Sequence, residues 1–328
     1  MVGVGRTTSR EVREMVDRVV VGYDTSPESA AAVRWAATYA AARGWDLDVV
    51  HVWGFAGQEG GGAGTSWLGQ QVRAQVADVA EEGAAVAREG PRVPADAVHA
   101  HVAHGRPALV LADLAADARL VVVGRRGAGG RLNALLGSVT TGVLHRSRCP
   151  VAVVPVDGPH LPGMGGEPVL VGFDGSPGSF GALEAGYDHA ARAGVPLSAL
   201  TAWSTVDQSA SPGYWLLGYP GRSPAEVALD EAERVLERAR SWSAARHDVE
   251  VGLEVVEGRP AQVLERRSRH AGLVVVGTRG RGGFASLALG STSRSVVQRA
   301  HCPVLVTRTA TGVAEEEPPQ RARAAASV

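Results

Sequence analysis

Short, unbroken apolar runs rich in valine alternate along this chain with longer stretches whose apolar residues recur every three or four positions. The first spacing predicts strands and the second amphipathic helices. In the N-terminal half the strand-like runs fall at 18–23, 47–53, 97–103, 119–124 and 150–156, and the helical stretches at about 27–43, 70–89, 106–117 and 138–147. The run Leu-Val-Val-Val-Gly, at 120–124 and again at 273–277, lacks the polar alternation of a one-sided strand and suits a parallel strand covered on both faces. Strands separated by helices, with each crossover right-handed, predict an α/β fold of the doubly wound, Rossmann-like kind. Helix starts mark the register. Ser26-Pro27 and Ser176-Pro177 put a hydroxyl at the N-cap and proline at the first helical position, and Ser223-Pro224-Ala225-Glu226 reads as a capping box.

The pattern is written twice. Residues 97–156 align without gaps on 250–309 with 27 of 60 positions identical, and VVVGYDTSPES at 19–29 matches VLVGFDGSPGS at 169–179. The offset changes from 150 to 153 between these blocks, so the second copy carries a net insertion of three residues. A period of that length is a tandem domain duplication, not a solenoid. The expected boundaries are 15–156 for the first domain and 168–309 for the second, with a linker at 157–167 inside a stretch (155–168) where eight of 14 residues are Gly or Pro. The tail at 310–328 mixes charge, Pro and Ala without periodicity and is expected to be disordered.

Composition then narrows the chemistry. A chain of 328 residues, 45% hydrophobic and 20% charged, suits two globular domains. Its formal net charge of −1 gives no global attraction to nucleic acid or anionic lipid. No apolar run approaches the roughly 20 residues of a membrane helix, the N-terminus lacks the hydrophobic segment of a signal peptide, and Cys149 and Cys302 alone make no disulfide framework. A cytoplasmic protein is expected. The chain contains no lysine, all 33 basic side chains being arginine. That excludes the lysine-dependent phosphate loop and any Schiff-base lysine.

After the fourth strand the first copy reads GRRGAGGRLNALLGS (124–138) and the second GTRGRGGFASLALGS (277–291). Both fit G-x2-G-x9-G-[ST], at Gly124, Gly127, Gly137 and Ser138 and at Gly277, Gly280, Gly290 and Ser291; Gly130 and Gly283 also correspond. Glycines with positive φ would turn amides inward toward an anion, and the last Gly-Ser would open a helix whose N-terminus favours phosphate, with Ser as both N-cap and ligand. An ordinary strand-to-helix turn is the plainer reading of one such loop, and two diverged copies with the same glycines weaken it.

These loops, the V-G-[YF]-D strand end before Ser-Pro, and the C-P-V start of the last strand resemble the universal stress protein family, in particular its tandem ATP-binding members. The resemblance spans the chain apart from the tails and linker. It implies in each domain a five-stranded, mainly parallel sheet of order 3-2-1-4-5 with helices on both faces. It further implies ATP at the carboxyl edge of the strands, with magnesium able to bridge the phosphates. Asp24 and Asp174 would then face the adenine or ribose, the backbone near Val52 and Ala202 the base edge, and the loop glycines with Ser138 and Ser291 the phosphates. The alternative for the two aspartates is an acceptor that fixes the turn. The resemblance also implies docking of the two domains through their last strands, 149–156 and 302–309, as an intramolecular pseudo-dimer. A homodimer of whole chains and an unknown protein partner stay open.

Other signals carry less. Arg125, Arg126 and Arg131, with Arg279 and Arg281, could neutralise phosphate or simply face solvent. His99, His101 and His104 suggest a metal only weakly, since Gly252, Glu254 and Glu257 replace them in the second copy, so no metal site is expected. Gly105-Arg106-Pro107-Ala108 and its counterpart at 258–261 fit a tight turn as well as a pocket wall, and the unlike loops 54–69 and 204–222 could serve as lids. No nucleophile–base pair recurs in both copies, so no catalytic residue is assigned. The expected function is an ATP-binding stress-response regulator with two sites, acting through conformation or a partner. The alternatives are a slow ATP hydrolase or other ATP-consuming enzyme, a cyclic-AMP binder, or an interaction module with vestigial pockets.

Overall fold

A computed structural model describes residues 15–54, 67–90, 93–129, 135–156, 166–204, 222–244, 246–280 and 289–308. The first half runs β1 (Val16–Gly22), α1 (Pro27–Ala41), β2 (Asp46–Trp53), α2 (Trp67–Arg88), β3 (Val98–His104), α3 (Pro107–Leu114), β4 (Ala118–Gly124), α4 (Ser138–Arg146) and β5 (Val151–Val154). The second half repeats it as β6 (Val169–Gly172), α5 (Pro177–Ala193), β7 (Leu197–Trp203), α6 (Pro224–Ser243), β8 (Val251–Glu257), α7 (Pro260–Arg267), β9 (Leu273–Gly277), α8 (Ser291–Arg299) and β10 (Val304–Thr307).

The strands form one ten-stranded sheet of order β3-β2-β1-β4-β5-β10-β9-β6-β7-β8. Within each half every pairing is parallel and the order is the expected 3-2-1-4-5. Where the halves meet, β5 and β10 pair antiparallel, Val153 opposite Val304 and Val151 opposite Val306. The expected docking through the last strands therefore occurs within the chain. A strand's side chains alternate between faces, and each strand feeds both cores: Val19 and Val21 join one apolar cluster while Val20 joins the other. Both clusters draw residues from both halves. Burying one valine contributes roughly 1.5–3 kcal/mol, so the continuous valine runs are what make a two-faced sheet favourable.

Helix starts follow the sequence signals. The Ser26 and Ser176 hydroxyls accept from the amides of Ser29 and Ser179, with Pro27 and Pro177 opening the helices. The capping box forms in full: Ser223 Oγ accepts from Glu226 N–H, and the Glu226 carboxylate accepts from Ser223 N–H at 2.7 Å. No helix of the described residues is long and apolar enough to cross a membrane. The expected tail, most of the linker and most of the loops 54–69 and 204–222 read as lids lie outside the described residues.

The two halves are tied on both faces of the sheet. On one face Arg43, just past the end of α1, reaches Asp188 of α5 at 2.7 Å and stacks on Tyr39, whose ring in turn stacks on His189. On the other, Arg125 donates to the Ala300 carbonyl at the end of α8, and Arg308 donates to the Leu144 carbonyl of α4.

Candidate functional site

At the carboxyl edge of the first sheet, where β1 and β4 diverge, a cavity of about 500 Å³ opens. That size lies within the usual range for small-molecule sites, and the place is the topological switch point of a doubly wound sheet. Its lining combines the apolar side chains of Val50, Val52, Leu111 and Val123 with Gly124, Arg126, Gly127, Gly137 and Ser138 of the loop.

Asp24 lines the cavity with both carboxylate oxygens engaged. Its Oδ1 accepts from Ser26 N–H (3.2 Å) and Ser26 Oγ (2.5 Å), and its Oδ2 accepts from Ala128 N–H of the glycine loop at 2.9 Å. Burial pushes this carboxyl up, but the donors Ser26, Ala128 and Ser29 outweigh it and hold the group below the usual carboxylate range. The turn-fixing reading of Asp24 is therefore realised. Asp174 repeats the contact to Ser176 N–H (3.0 Å) and Oγ (2.6 Å).

Four of the loop glycines, Gly124, Gly127, Gly277 and Gly280, are required for a reason other than the expected one. Gly124, Gly127, Gly137, Gly277, Gly280 and Gly290 all avoid positive φ. What excludes a side chain is close approach. A Cβ on Gly127 would fall 2.4 Å from Asp24 Oδ2, and one on Gly280 2.2 Å from Asp174 Oδ2. A Cβ on Gly124 would meet the Glu28 backbone at 2.9 Å, and one on Gly277 the Gly178 backbone at 2.7 Å. The loop folds flat against the end of β1 in both halves because these positions carry no side chain.

The helix cap also differs from expectation. Gly137 and Gly290, not the serines, are the N-caps, with extended φ/ψ of −70°/155° and −70°/161°. Ser138 and Ser291 are the first helical residues and are exposed. The cap amides close the loop, Gly137 N–H donating to Arg125 O at 2.9 Å and Gly290 N–H to Thr278 O at 2.7 Å. The first intrahelical bond runs from Thr141 N–H to Gly137 O. Helix geometry leaves the amides of Ser138, Val139 and Thr140 directed at the cavity those residues line.

Val52 and Ala202 are placed by strand parity. Tyr23 N–H bonds the Val50 carbonyl and Phe173 N–H the Leu200 carbonyl, so two residues on, the backbone groups of Val52 and Ala202 face the same side after β1 and β6 have turned away. Val52 lines the cavity. Gly130, Gly283, Arg131 and Arg281 lie outside the described residues. Arg125 is not a phosphate-facing side chain, since it spans to the other half; Arg126 lines the cavity and pairs with Glu28 at 3.3 Å. Gly105 and Gly258 do hold positive φ (+138° and +135°), which makes their segments tight turns, and Pro107 closes one side of the cavity.

Two features were missed by the sequence reading. Thr140 Oγ1, buried, donates to the Gly124 carbonyl at 2.7 Å, and Ser293 Oγ to the Gly277 carbonyl at 2.6 Å. A hydroxyl kept two positions after the Gly-Ser pair in both copies was the available signal. Tyr23, on the cavity wall, donates to Glu82 of α2 at 2.6 Å. Burial, then the Glu82 hydrogen bond and charge, push its pKa up to about 12. The histidines of β3 have other partners: His101 meets Asp48 at 3.0 Å and His104 packs edge-on to Trp53. No group of three or more metal-ligating side chains occurs among the described residues.

The sequence profile of one family, described as the universal stress protein family, matches residues 15–155 and 166–308. Universal stress protein Rv2005c of Mycobacterium tuberculosis is 37% identical over 298 residues, covering 88% of this chain and 96% of its own. Universal stress protein Rv2623 of the same organism is also 37% identical, over 307 residues, with the same coverage of both chains. Among solved structures, a universal stress protein from Archaeoglobus fulgidus superposes with a TM-score of 0.60 at 22% identity, over 89% of this chain and 98% of that one.

Proposed function

The chain belongs to the universal stress protein family, and from that premise we propose that each half holds an adenine nucleotide and that the ligand state is relayed to a partner. One observation carries this reading. In both halves the first-strand aspartate meets a loop glycine too closely for any side chain, and the loop ends on an open helix N-terminus. The glycine loop and the first turn of α4 in the cavity lining fit phosphate, and the apolar lining of Val50, Val52, Leu111 and Val123 fits a base. The ligand we propose is ATP, with magnesium carried on its phosphate oxygens.

The reading is of a binding protein. Amides, the Ser138 hydroxyl and Arg126 hold a ground-state triphosphate, whereas hydrolysis also needs an oriented water and compensation of the developing charge. Mass spectrometry of nucleotide released from the purified protein should give an adenine nucleotide at up to two per chain. Gly290→Val is the cleaner loop variant, because a Cβ there meets its nearest neighbour at 3.5 Å, against 3.3 Å at Gly137. It should halve bound nucleotide without unfolding the chain, and Gly137→Val should remove the rest. Full stoichiometry in the double variant would overturn the site. Single-turnover assays should show ATP persisting for minutes, far beyond the time scale of a median enzyme at about 10 turnovers per second; rapid turnover abolished by the same double variant would favour the hydrolase.

A further inference from the structure

Arg125 belongs to two places at once. Its backbone is part of the first glycine loop: the N–H donates to Val154 O at 2.9 Å, and the carbonyl accepts from Gly137 N–H at 2.9 Å and from Thr140 Oγ1 at 3.3 Å. Its side chain leaves the loop, reaches into the second half and donates to the carbonyl of Ala300, the C-cap of α8. Helix C-termini leave carbonyls unpaired and carry partial negative charge, so a guanidinium suits that end. The helix that follows the loop is held from the second half as well. Arg308, just past β10, donates to the Leu144 carbonyl in the last turn of α4 at 2.5 Å. The Nε atoms of both arginines are shielded from water. Neither residue is repeated, for Thr278 stands at the position of Arg125 and Pro155 at that of Arg308. The loop and α4, which supply Gly124, Gly127, Gly137 and Thr140 to the cavity lining, are thus fastened at both ends to the second half.

We propose that Arg125 is a positioning residue for the first nucleotide site, and that ligand in that site is felt, through Arg125, at the C-terminal end of α8. This rests on the nucleotide reading above and gives the relay in that reading its first step. Phosphate needs a closed loop, because the amides that open α4 can converge on it only while Gly137 is held against Arg125 O. One residue supplies that closing carbonyl from its backbone and the bridge to Ala300 from its side chain. Conformations that release the bridge therefore free the loop, and conformations that open the loop free the bridge. By linkage, a ligand that selects the closed loop favours the bridge by the factor with which the bridge favours the ligand.

The chain carries its own reporter. Cys302 lies two residues after Ala300 and is one of only two thiols. It is buried, and burial pushes its pKa up to about 12, with the Arg125 charge among the influences that oppose the rise. Such a thiol reacts only when its surroundings open. The test is pulsed alkylation of the intact chain with and without saturating ATP and magnesium, with peptide mass spectrometry to separate Cys302 from Cys149, beside a calorimetric titration. In the wild type ATP should slow alkylation at Cys302 by about five- to tenfold. Arg125→Met, which keeps an apolar stem and removes the donors, should weaken one bound ATP about tenfold, the scale of a hydrogen bond to a charged group. At saturating ATP the same variant should show no slowing. Arg125→Lys keeps the charge and a donor and should recover part of both effects. ATP bound by the wild type with no change at Cys302, slowing that persists in Arg125→Met, or every ATP held by that variant as tightly as by the wild type would each overturn the proposal and leave nucleotide binding intact. If the wild type takes up no nucleotide, the binding reading itself falls, and this inference with it.

Discussion

Thr25 has a backbone φ of +66°, and it stands immediately after Asp24 at the point where β1 turns into α1. The corresponding residue of the second half is Gly175, at φ +76°. A β-branched residue in this left-handed region costs about 1–2 kcal/mol, whereas glycine pays about 0.5–1 kcal/mol in unfolded-state entropy. Thr25→Gly should therefore raise the unfolding free energy slightly or leave it unchanged, never lower it by more than a few tenths of a kcal/mol. The reverse change is harsher. Gly175→Thr meets both the strain and a crowded site, with Arg238 Nη1 at 2.9 Å and Val235 at 3.3 Å from the new Cβ, and should cost about 2 kcal/mol or more. A denaturation series on both variants checks the pair. At this scale the sequence told where Asp24 and the loop glycines stand but not why. The glycine code is the same whether φ is positive or a carboxylate presses from the side, and only the fold shows that Asp24 Oδ2 sits where a Gly127 Cβ would be.

Helices α4 and α8 carry the candidate sites on their first turns, and each is fastened to the preceding strand by one buried hydroxyl. Thr140 Oγ1 bonds the Gly124 carbonyl, Ser293 Oγ the Gly277 carbonyl. Thr140→Val keeps the shape and removes the donor, leaving a buried carbonyl unpaired at a cost of about 1–3 kcal/mol. The measurable result should be a lower unfolding midpoint together with weaker nucleotide binding at the first site; a variant that loses neither would mean that α4 is oriented by packing alone. Element positions were legible from valine runs and Ser-Pro starts, which are local signals that the tertiary fold reinforces. The cap of α4 was not. Ser138 has the hydroxyl that caps prefer, yet Gly137 occupies the cap, where its amide closes the loop on Arg125 O and a Cβ would fall 3.3 Å from the Arg126 Cα. A long-range closure of that kind leaves no mark in local spacing.

The whole molecule is one sheet with a seam down its middle, and the seam is sensitive to acid. His189 is buried there against Tyr39, and burial first, then the charge of Arg43, lower its pKa from 6.5 to about 4 despite the opposing Asp188. The folded state keeps this histidine neutral where the unfolded chain would protonate it. Its contribution is complete above pH 6.5 and is lost as pH falls from 6.5 toward 4, amounting to about 3 kcal/mol at the acid end. His189→Leu should flatten that part of the stability–pH curve; an unchanged slope would place the acid sensitivity elsewhere. Arg43 and Asp188 carry a further consequence. Arg43, its side chain 1% exposed, finds its carboxylate among the described residues in the other half, for Thr38 stands in the first half where Asp188 stands in the second, and Ala193 where Arg43 does. In an assembly of two identical subunits every contact across the axis is made twice; here this one is made once. Two first halves mated face to face would bury two guanidinium groups with no counterion, and stranding even one such charge costs about 3–5 kcal/mol. Duplication has thus turned a self-complementary surface into a lock and a key: each half is matched to its sibling and mismatched to its own likeness, so chains of this kind crowded together have reason not to trade halves.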